Sequence, residues 1–359
     1  MIAFKFYFSI LVVALQPQPK FKKEQNDMIV IFSRGDDFST RDVKNKLIRM
    51  GQDVVVIEPM VAMEKFSKIS SDGIIFESLD GKRYNLLDAT ACWWRRTGIG
   101  MNNIVDCVPT KIVAGEQDLS KILNSPRNHF NEEFKDLRDY IYNTMYKKCP
   151  IHIGNPNRMG LNRIYALDLA KEIGLKVPEY AVITNYNQLE KLNKISDKFV
   201  SKAISNGIYD FFGHDAYYTY TEALNKADFA NKNIKLFPSL VMSLVEKSFE
   251  IRSFYLNGEF YSMAIFSQRN KQTSVDFRKY CTEFPNKNEP FKLPNEIEEK
   301  LDKLYKKLDL NTGSADLIVD KEGNYVFLEI NPVGQFQMTS LPCNYNLEQK
   351  IANYLVYGA

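Results

Sequence analysis

From Met28 onward, short apolar runs alternate with amphipathic segments, and this alternation predicts an α/β domain. The apolar runs are rich in β-branched residues, as buried strands are, and Ser39 or Thr40 could cap the helix between the first two runs. The predicted elements are strands at 28–32, 53–57 and 73–76, a helix from 39 to 50, a turn at 80–81, and a strand through the segment ACWWRR at 91–96.

After residue 124 the pattern changes to long helices and to strands joined by tight turns, which predicts a mixed α+β region. Gly174 is placed to end one of these helices. Helices are predicted at 128–147, 161–173 and 295–308, a strand at 198–204, and hairpins around 257–258 and 320–324. We expect four segments: a tail at 1–27, an α/β domain at 28–124, a central lobe at 125–246 and a C-terminal lobe at 247–359.

The first 27 residues include an apolar run from Phe6 to Leu15 after a lysine, as in the core of a signal peptide. The run is too short to span a bilayer, and no small-x-small cleavage site follows it. We therefore expect the fold to begin at Met28, after an appended tail or an upstream start, and we expect no membrane partner. A secreted protein is the alternative.

The composition is that of an ordinary globular protein, with 45% hydrophobic and 25% charged residues in a chain of 359. The net charge of +3 comes from lysines and arginines scattered among acids, so no nucleic-acid partner is indicated. The five cysteines lie far apart without a CxxC pair. They therefore predict neither a zinc site nor a disulfide framework, and free thiols in a reducing cytoplasm are expected.

The segment FLEINPVGQF places Glu329 and Asn331 two residues apart in an otherwise apolar strand. Side chains at i and i+2 of a strand share one face, so both oxygens point the same way. A turn at 320–324 would bring Asp316 opposite Leu328 or Glu329, where two acids repel unless a cation lies between them. Three oxygen ligands suit Mg²⁺, which completes its shell with water and substrate phosphates. The alternative is a solvated acid pair on a surface hairpin.

Further polar groups stand in or beside apolar strands. Lys202 lies in the segment FVSKAIS, towards the end of an apolar strand, where it could hold phosphate groups or be a surface lysine whose stem covers apolar atoms. Glu250 and Arg252 share one strand face, and the backbone of residues 243–246 could face a base. The segment SQRNKQTSVDFRKY is either an anion site or a basic loop in solvent, and its cations are Arg269, Lys271 and Arg278.

The segment WWRR places Trp93 and Arg95 on one face of a strand and Trp94 and Arg96 on the other. One face is expected to lie in the core, and the other could offer a basic, aromatic ledge to an acidic peptide. Alternatively, both tryptophans pack inside and both arginines pair with local acids.

Taken in order, the motifs between residues 150 and 336 resemble those of the ATP-grasp ligases. The segments ACWWRRTG, EKSFEIRSFYLNGEFYSMAIFSQ, QTSVDFRKY and FLEINPVGQF further resemble the peptide maturases of graspetide (microviridin-type) systems, in the branch called grasp-with-spasm. The resemblance implies an ATP-grasp fold, in which an N-terminal α/β pre-ATP-grasp domain precedes two α+β lobes that clamp ATP.

The same resemblance implies roles for the candidate residues. Lys202 would hold the phosphates of ATP, Glu250 would hold the ribose, and Arg163 stands where many relatives carry lysine, which leaves its contact with ATP open. Adenine would meet the backbone of Ser243, Leu244, Val245 and Glu246, while Asp316, Glu329 and Asn331 would bind Mg²⁺. Arg252 and Arg278 would stabilise the transferring phosphoryl group.

By this resemblance the chain is an ADP-forming carboxylate ligase that uses ATP and Mg²⁺. Its partner would be a ribosomally made precursor peptide with a leader, whose Asp or Glu side chains become acyl phosphates and then macrocyclic esters or amides with Ser, Thr or Lys. A cytoplasmic homo-oligomer is expected. The alternatives are a ligase that adds free amino acids to a peptide or small molecule, and a nucleotide-binding regulator without turnover.

Overall fold

The computed structural model describes residues 27–58, 65–78, 80–96, 119–185, 188, 198–204, 209–212, 215–218, 221–224, 235–268 and 286–358. Its helices are α1 (Phe38–Arg49), α2 (Leu119–Lys148), α3 (Arg163–Glu172), α4 (Asn295–Lys307), α5 (Gln337–Cys343) and α6 (Leu347–Tyr357). The strands of the first part are β1 (Met28–Phe32), β2 (Asp53–Ile57), β3 (Phe66–Ser70), β4 (Gly73–Glu77), β5 (Arg83–Asn85), β6 (Ala91–Trp94) and β7 (Ile151–Ile153).

The remaining strands build the other sheets. They are β8 (Tyr180–Asn185), β9 (Phe199–Lys202), β10 (Tyr209–Phe212), β11 (Asp215–Tyr218), β12 (Glu222–Ala223), β13 (Lys235–Ser243), β14 (Lys247–Leu256), β15 (Glu259–Phe266), β16 (Lys287–Phe291), β17 (Thr312–Asp320) and β18 (Tyr325–Asn331).

The N-terminal domain is a parallel sheet in the order β2-β1-β6-β7 with helices on both faces. Alternate residues of β1 serve the two faces: Val30 and Phe32 pack with α2, whereas Ile29 and Ile31 pack with α1 and α6. Because both faces are covered, every residue of β1 is buried, which explains its uninterrupted apolar sequence. The predicted strands at 28–32 and 53–57 are confirmed.

Two details of the N-terminal domain differ from the sequence prediction. The cap of α1 is Asp37, whose side chain accepts a hydrogen bond from the Thr40 backbone N–H at 3.1 Å, so the prediction of Ser39 or Thr40 as the cap was wrong. An aspartate two residues before Ser39 satisfies the first turn, and the Thr40 hydroxyl bonds to Ser33 instead. The strand predicted at 73–76 belongs to a separate antiparallel sheet, β3-β4-β5.

Two antiparallel sheets follow. The central sheet has the order β12-β9-β13-β8, and the C-terminal sheet has the order β16-β15-β14-β17-β18. Helices α3 and α4 cover one face of the C-terminal sheet, where Ile251, Leu317 and Phe327 pack with Leu167 and Leu304. The hairpin predicted around 320–324 is confirmed as the turn between β17 and β18.

The N-terminal domain and the C-terminal sheet share one core. Trp93 of β6 and Phe254 of β14 both pack on Phe336, with ring centroids 6.3 Å and 5.5 Å away. Gly334 has a φ of 85°, and a Cβ atom there would lie 3.0 Å from the Phe254 ring, so this turn needs glycine. The two parts therefore hold each other in place beside the last hairpin. Among the helices described, none is long and apolar enough to cross a membrane.

Candidate active site

The hairpin of β17 and β18 brings the predicted acidic residues together. Asp316 lies directly opposite Glu329, and Ser314 lies opposite Asn331, as one of the two predicted registers requires. The register shifts after Asp316, because Leu317 pairs with Phe327 and Leu328 is an extra residue in its strand. Such a bulge re-aims side chains, and here Leu328, Glu329 and Asn331 all line the same cavity.

That cavity, of about 190 Å³, lies between the central and the C-terminal sheets. Among the residues predicted from the sequence, it is lined by Lys202, Ser243, Leu244, Val245, Glu250, Arg252, Asp316, Glu329 and Asn331. The apolar part of its wall was not predicted; it comes from both sheets and includes Val200, Met242, Ile265, Leu317, Ile318 and Leu328. Apolar walls with a few convergent polar groups are the usual form of a ligand pocket.

The strand register separates the polar groups within this cavity. Glu250 pairs with Ile318 on one side and Ile265 on the other, so it lies among apolar residues. Two residues further along β14, Arg252 pairs with Asp316, which in turn pairs with Glu329. The cavity therefore has an apolar part near the chain segment that joins β13 to β14, and a highly charged part on the hairpin.

The charged part is a set of ion pairs. Arg252 Nη1 donates to both carboxylate oxygens of Asp316, at 3.1 and 3.2 Å. Glu329 Oε2 accepts from Arg163 Nε at 2.8 Å and lies 3.5 Å from Lys202 Nζ. Each carboxylate thus has a cation beside it. The cations are those expected to hold phosphates, and the carboxylates are those expected to hold a metal ion.

Arg252 has buried N–H donors that make no hydrogen bond to the described residues. Its side chain is buried, at 5% exposure, and in the part of the chain that the structure describes neither Nε nor Nη2 has a hydrogen-bond partner. A buried donor left unpaired costs about 1–3 kcal/mol, and more when it is charged. Because Arg252 also lines the cavity, its unpaired donors point to an anionic ligand there.

Glu250 is held by a lysine that the sequence did not point to. Lys247 is buried and pairs with Glu250, and Ser267 Oγ donates to the other carboxylate oxygen at 3.1 Å. A bulge at Ser248, between Lys247 and Phe249, breaks the strand alternation that would otherwise separate the two charges. Burial raises the pKa of Glu250 above its ordinary value, although Lys247 and Ser267 oppose this shift.

The donor set at the hairpin fits a magnesium ion. Asp316, Glu329 and Asn331 offer two carboxylates and one amide oxygen on one cavity wall, and oxygen donors are what Mg²⁺ prefers. The Asn331 Oδ1 atom accepts from the Val333 N–H at 3.1 Å, which orients the amide and leaves a second lone pair. Within the described ranges no group of three or more His, Cys, Asp or Glu residues gathers, so this ion would also need ligands from water or substrate.

Other predicted residues lie elsewhere. The Glu246 side chain is 64% exposed and pairs with Lys198, so only its backbone remains a candidate for contact with a base. The N–H groups of Ser243 and Leu244 are bonded to the carbonyls of Glu179 and Lys198. The N–H groups of Ser243 and Leu244 are therefore not available to a base, and the carbonyl groups of the segment and the backbone of Val245 and Glu246 remain the candidates. Arg278 lies outside the described residues.

The open ledge expected at WWRR is not present. Both tryptophans are buried, Arg95 is 2% exposed, and Asp37 pairs with Arg95 and Arg96 at 3.4 and 3.1 Å. This is the alternative arrangement, in which both tryptophans pack and both arginines pair with a local acid. The reason is that Asp37 and the turn after β18 both lie against the end of β6.

No family model and no curated protein matches this sequence. Solved structures do match. A RiPP-associated ATP-grasp ligase from Chryseobacterium gregarium, in complex with ADP and a leader and core peptide, is 22% identical, with a TM-score of 0.74 over 93% of this chain and 97% of its own. The macrocyclase MdnC from Microcystis aeruginosa, bound with precursor peptide MdnA, is 21% identical, with a TM-score of 0.70 over 92% and 99%.

A third match is the ATP-grasp ligase PsnB, complexed with minimal precursor, Mg and ADP. It is 14% identical, with a TM-score of 0.68 over 94% of this chain and 99% of its own. These likenesses extend over nearly the whole of each protein. The chain therefore has the ATP-grasp fold, as the sequence motifs implied.

Proposed function

We propose that this protein is an ADP-forming ligase that joins Asp or Glu side chains of a ribosomally made precursor peptide to Ser, Thr or Lys side chains, as macrocyclic esters or amides. The observation that carries the proposal is the single cavity in which Lys202, Arg252, Asp316 and Glu329 meet beside an apolar wall. Phosphoryl transfer needs little covalent help and much electrostatic positioning, which is what this set of charges can provide.

The cavity suggests where each part of ATP would bind. The adenine ring would lie against the apolar wall and the backbone near Val245, with the ribose near Glu250. The phosphates would reach Lys202 and Arg163, since both cations lie beside Glu329. Lys202 lines the cavity itself, and Arg163 lines a smaller pocket that also contacts Glu329. Asp316, Glu329 and Asn331 would hold Mg²⁺, which would neutralise charge on the phosphate oxygens.

The chemistry divides into two displacements. A carboxylate oxygen of the peptide attacks the γ-phosphorus, the bond to the bridging oxygen breaks, and ADP leaves, so that the peptide carries an acyl phosphate. A hydroxyl or amine of the same peptide then attacks the acyl carbon, phosphate leaves, and the nucleophile loses its proton. The unpaired donors of Arg252 are suited to bind oxygens of the transferring phosphoryl group, and Arg278 is a second candidate for this role.

The solved relatives support the choice of substrate. The Chryseobacterium ligase is complexed with a leader and core peptide, MdnC is bound with a precursor peptide, and PsnB is complexed with minimal precursor. We propose the same class of partner here, a precursor peptide with a leader. Of the four segments expected from the sequence (1–27, 28–124, 125–246 and 247–359), the boundary at 124 falls inside α2, and both α2 and β7 pack with the N-terminal sheet. We therefore propose that the pre-ATP-grasp domain extends to Ile153, with the tail before it and the two lobes after it. Cys92, Cys149 and Cys343 are free thiols, which agrees with a cytoplasmic enzyme. We also expect a homo-oligomer, which light scattering would test.

The test combines ADP release with peptide mass. The enzyme is incubated with ATP, Mg²⁺ and the short peptide encoded beside its gene, and each new link should release one ADP and remove one water from the peptide. Glu329→Gln is the control that should stop both. A gain in mass would indicate addition of free amino acids instead, and binding of ADP without turnover of any such peptide would indicate a nucleotide-binding regulator.

A further inference from the structure

Arg95 is a buried cation with bonds to two separate parts of the chain. It follows β6 at the end of the N-terminal sheet and is 2% exposed. Its Nη1 group donates to the backbone carbonyl of Val333, and its Nη2 group donates to Ser39 Oγ at 3.2 Å. Its Nε atom lies 3.4 Å from Asp37 Oδ2. The guanidinium therefore connects the start of α1 to the turn that follows β18.

That turn, residues 332–336, directly follows Asn331, a proposed magnesium ligand, and two of its backbone N–H groups bond to this residue. The Val333 N–H donates to Asn331 Oδ1 at 3.1 Å, and the Gly334 N–H donates to the Asn331 carbonyl, also at 3.1 Å. Gln335, with a φ of 38°, lines the cavity itself. The position of the turn thus sets the orientation of the Asn331 amide.

A second chain of bonds runs parallel to the first. Ser39 Oγ donates to Gln337 Oε1 at 3.1 Å, and Gln337 Nε2 donates to Asp42 Oδ2 at 2.8 Å. The rings of Trp93 and Phe336 lie 5.9 and 5.4 Å from the Arg95 guanidinium carbon. The N-terminal domain therefore bonds to both ends of the turn: Arg95 bonds to Val333, and Ser39 and Asp42 of α1 bond to Gln337, the residue after the turn.

Burying a cation this completely is unfavourable unless it is paired and hydrogen-bonded. Burial lowers the pKa of Arg95 to about 10, although Asp37 opposes the shift. A hydrophobic residue would suffice to fill the space between Trp93 and Phe336. The backbone carbonyl of Val333, by contrast, needs a long donor that reaches it from β6, and Arg95 has one.

We infer that Arg95 is a positioning residue of the active site: it fixes the turn 332–336, and through Val333 it orients Asn331 toward the metal–nucleotide complex. The inference rests on the proposed nucleotide–metal site. It makes the N-terminal domain a structural part of that site, although none of the described residues of β1 to β7 or α1 lines the cavity. Arg95 acts on the bound ion only through Asn331.

The test measures the affinity for ADP by calorimetry, with Mg²⁺ and with EDTA, for the wild type and for Arg95→Met, which keeps the apolar stem and removes the donors. Partners that orient a metal ligand are worth about 10–100-fold in metal affinity or activity, so Arg95→Met should weaken ADP binding about tenfold or more with Mg²⁺ and leave it unchanged in EDTA. The ADP affinity of Arg95→Lys in Mg²⁺ should lie between those of the wild type and Arg95→Met.

Arg96→Met is the matched control. Arg96 shares Asp37 with Arg95 but makes no bond to the turn 332–336, so this variant should bind Mg²⁺–ADP like the wild type. If Arg95→Met does not fold, Ser39→Ala is tested instead, because it removes one hydrogen-bond acceptor of Arg95. Ser39→Ala should weaken ADP binding in Mg²⁺ about threefold, which is less than the effect expected from removing the Arg95 donors.

The outcomes separate the two proposals. Wild-type protein that gains no ADP affinity from Mg²⁺ overturns the proposed site and the inference with it. If Mg²⁺ raises the ADP affinity of the wild type and raises that of Arg95→Met or Ser39→Ala by the same factor, only the inference about Arg95 is overturned. A loss of ADP affinity that is equal with Mg²⁺ and with EDTA does so too, because a role in general stability would act on both.

Discussion

The two sheets that enclose the cavity are packed very differently. In the C-terminal sheet, β14 and β17 are buried along most of their length and pack with α3 and α4. Among the described residues of the central sheet, Val200, Leu240 and Met242 pack with the C-terminal sheet on one face. The cluster on the other face is small, Ile183, Phe199 and Val241, and Phe237 is 86% exposed. Three of the charges at the site, on Glu250, Arg252 and Asp316, belong to the well-packed sheet, whereas the central sheet contributes Lys202.

This difference suggests a division of work. Groups that must be held to a fraction of an ångström belong on rigid, well-packed elements. Segments that open to admit a ligand come from regions with few buried contacts. We therefore expect the C-terminal sheet to determine the rate of the chemical step and the central sheet to determine how tightly ATP is held.

The largest effect should come from Arg252. Arg252→Lys keeps the charge next to Asp316 but removes the planar donor set whose Nε and Nη2 atoms have no partner among the described residues. Removing one donor that stabilises transition-state charge lowers kcat about 10²–10³-fold. Steady-state ADP release with peptide measures this, and a kcat within threefold of wild type would remove Arg252 from the chemistry.

Magnesium and nucleotide should strengthen each other's binding. In this structure the cations expected to hold phosphates are paired with the carboxylates expected to hold the ion. Nucleotide alone would draw the cations away and leave the carboxylates unpaired, and Mg²⁺ alone would leave the cations unpaired. When both bind, the cations pair with phosphates and the carboxylates with the ion, so that no charge loses its partner. Coupling between ligands is typically about 5–150-fold, and the effect is reciprocal.

Calorimetric titration of ADP, in EDTA and in Mg²⁺, measures this coupling. Glu329→Gln should abolish most of it, because Glu329 pairs with both Arg163 and Lys202. Independent binding of the two ligands to the wild type would contradict the exchange of partners.

A smaller effect is expected from the central sheet. Lys202→Met should raise the KM for ATP about tenfold, which is at the low end of the range expected for loss of a charge-assisted hydrogen bond. The low end is expected because Arg163 supplies a second positive charge beside Glu329. Its kcat should change much less than that of Arg252→Lys. If Lys202→Met instead lowered kcat by the larger factor, the division between the sheets would be reversed.

The smallest effect concerns the turn that joins β17 to β18. Burial alone would raise the pKa of Asp320, but Lys176 and Asn324 outweigh it and lower the pKa from 3.8 to about 2. Because the folded pKa lies below the unfolded one, this carboxylate stabilises the fold above the unfolded pKa, and the contribution is lost as pH falls through about 2.

Urea unfolding at pH 5 and pH 3 measures this contribution. Wild-type protein should lose more stability between the two values than Asp320→Asn, whose side chain does not titrate. Equal losses in the two proteins would show that Asp320 has no such role.

The sequence predicted the elements whose apolar period is clear. The strands at 28–32 and 53–57, the last hairpin, and the approach of Asp316 to Glu329 followed from alternation and turn residues. The fold followed from the order of motifs. The three predicted oxygen donors and Lys202 do line one cavity.

What the sequence did not predict depends on irregular backbone and on distant contacts. The bulges at Ser248 and Leu328 shift the strand alternation. Because of the first bulge, Lys247 reaches Glu250, three positions further along the chain. The bond from Arg95 to the Val333 carbonyl could not be predicted, because this acceptor is 238 positions away in the chain. No local pattern reports such a partner.

The most direct test is a crystal structure with Mg²⁺ and a non-hydrolysable ATP analogue. The account predicts a metal ion about 2.1 Å from oxygens of Asp316, Glu329 and Asn331, with Arg252 and Arg163 turned from their carboxylates toward the phosphates. An ion bound elsewhere, with the pairs Arg252–Asp316 and Arg163–Glu329 still intact beside the bound nucleotide, would contradict it.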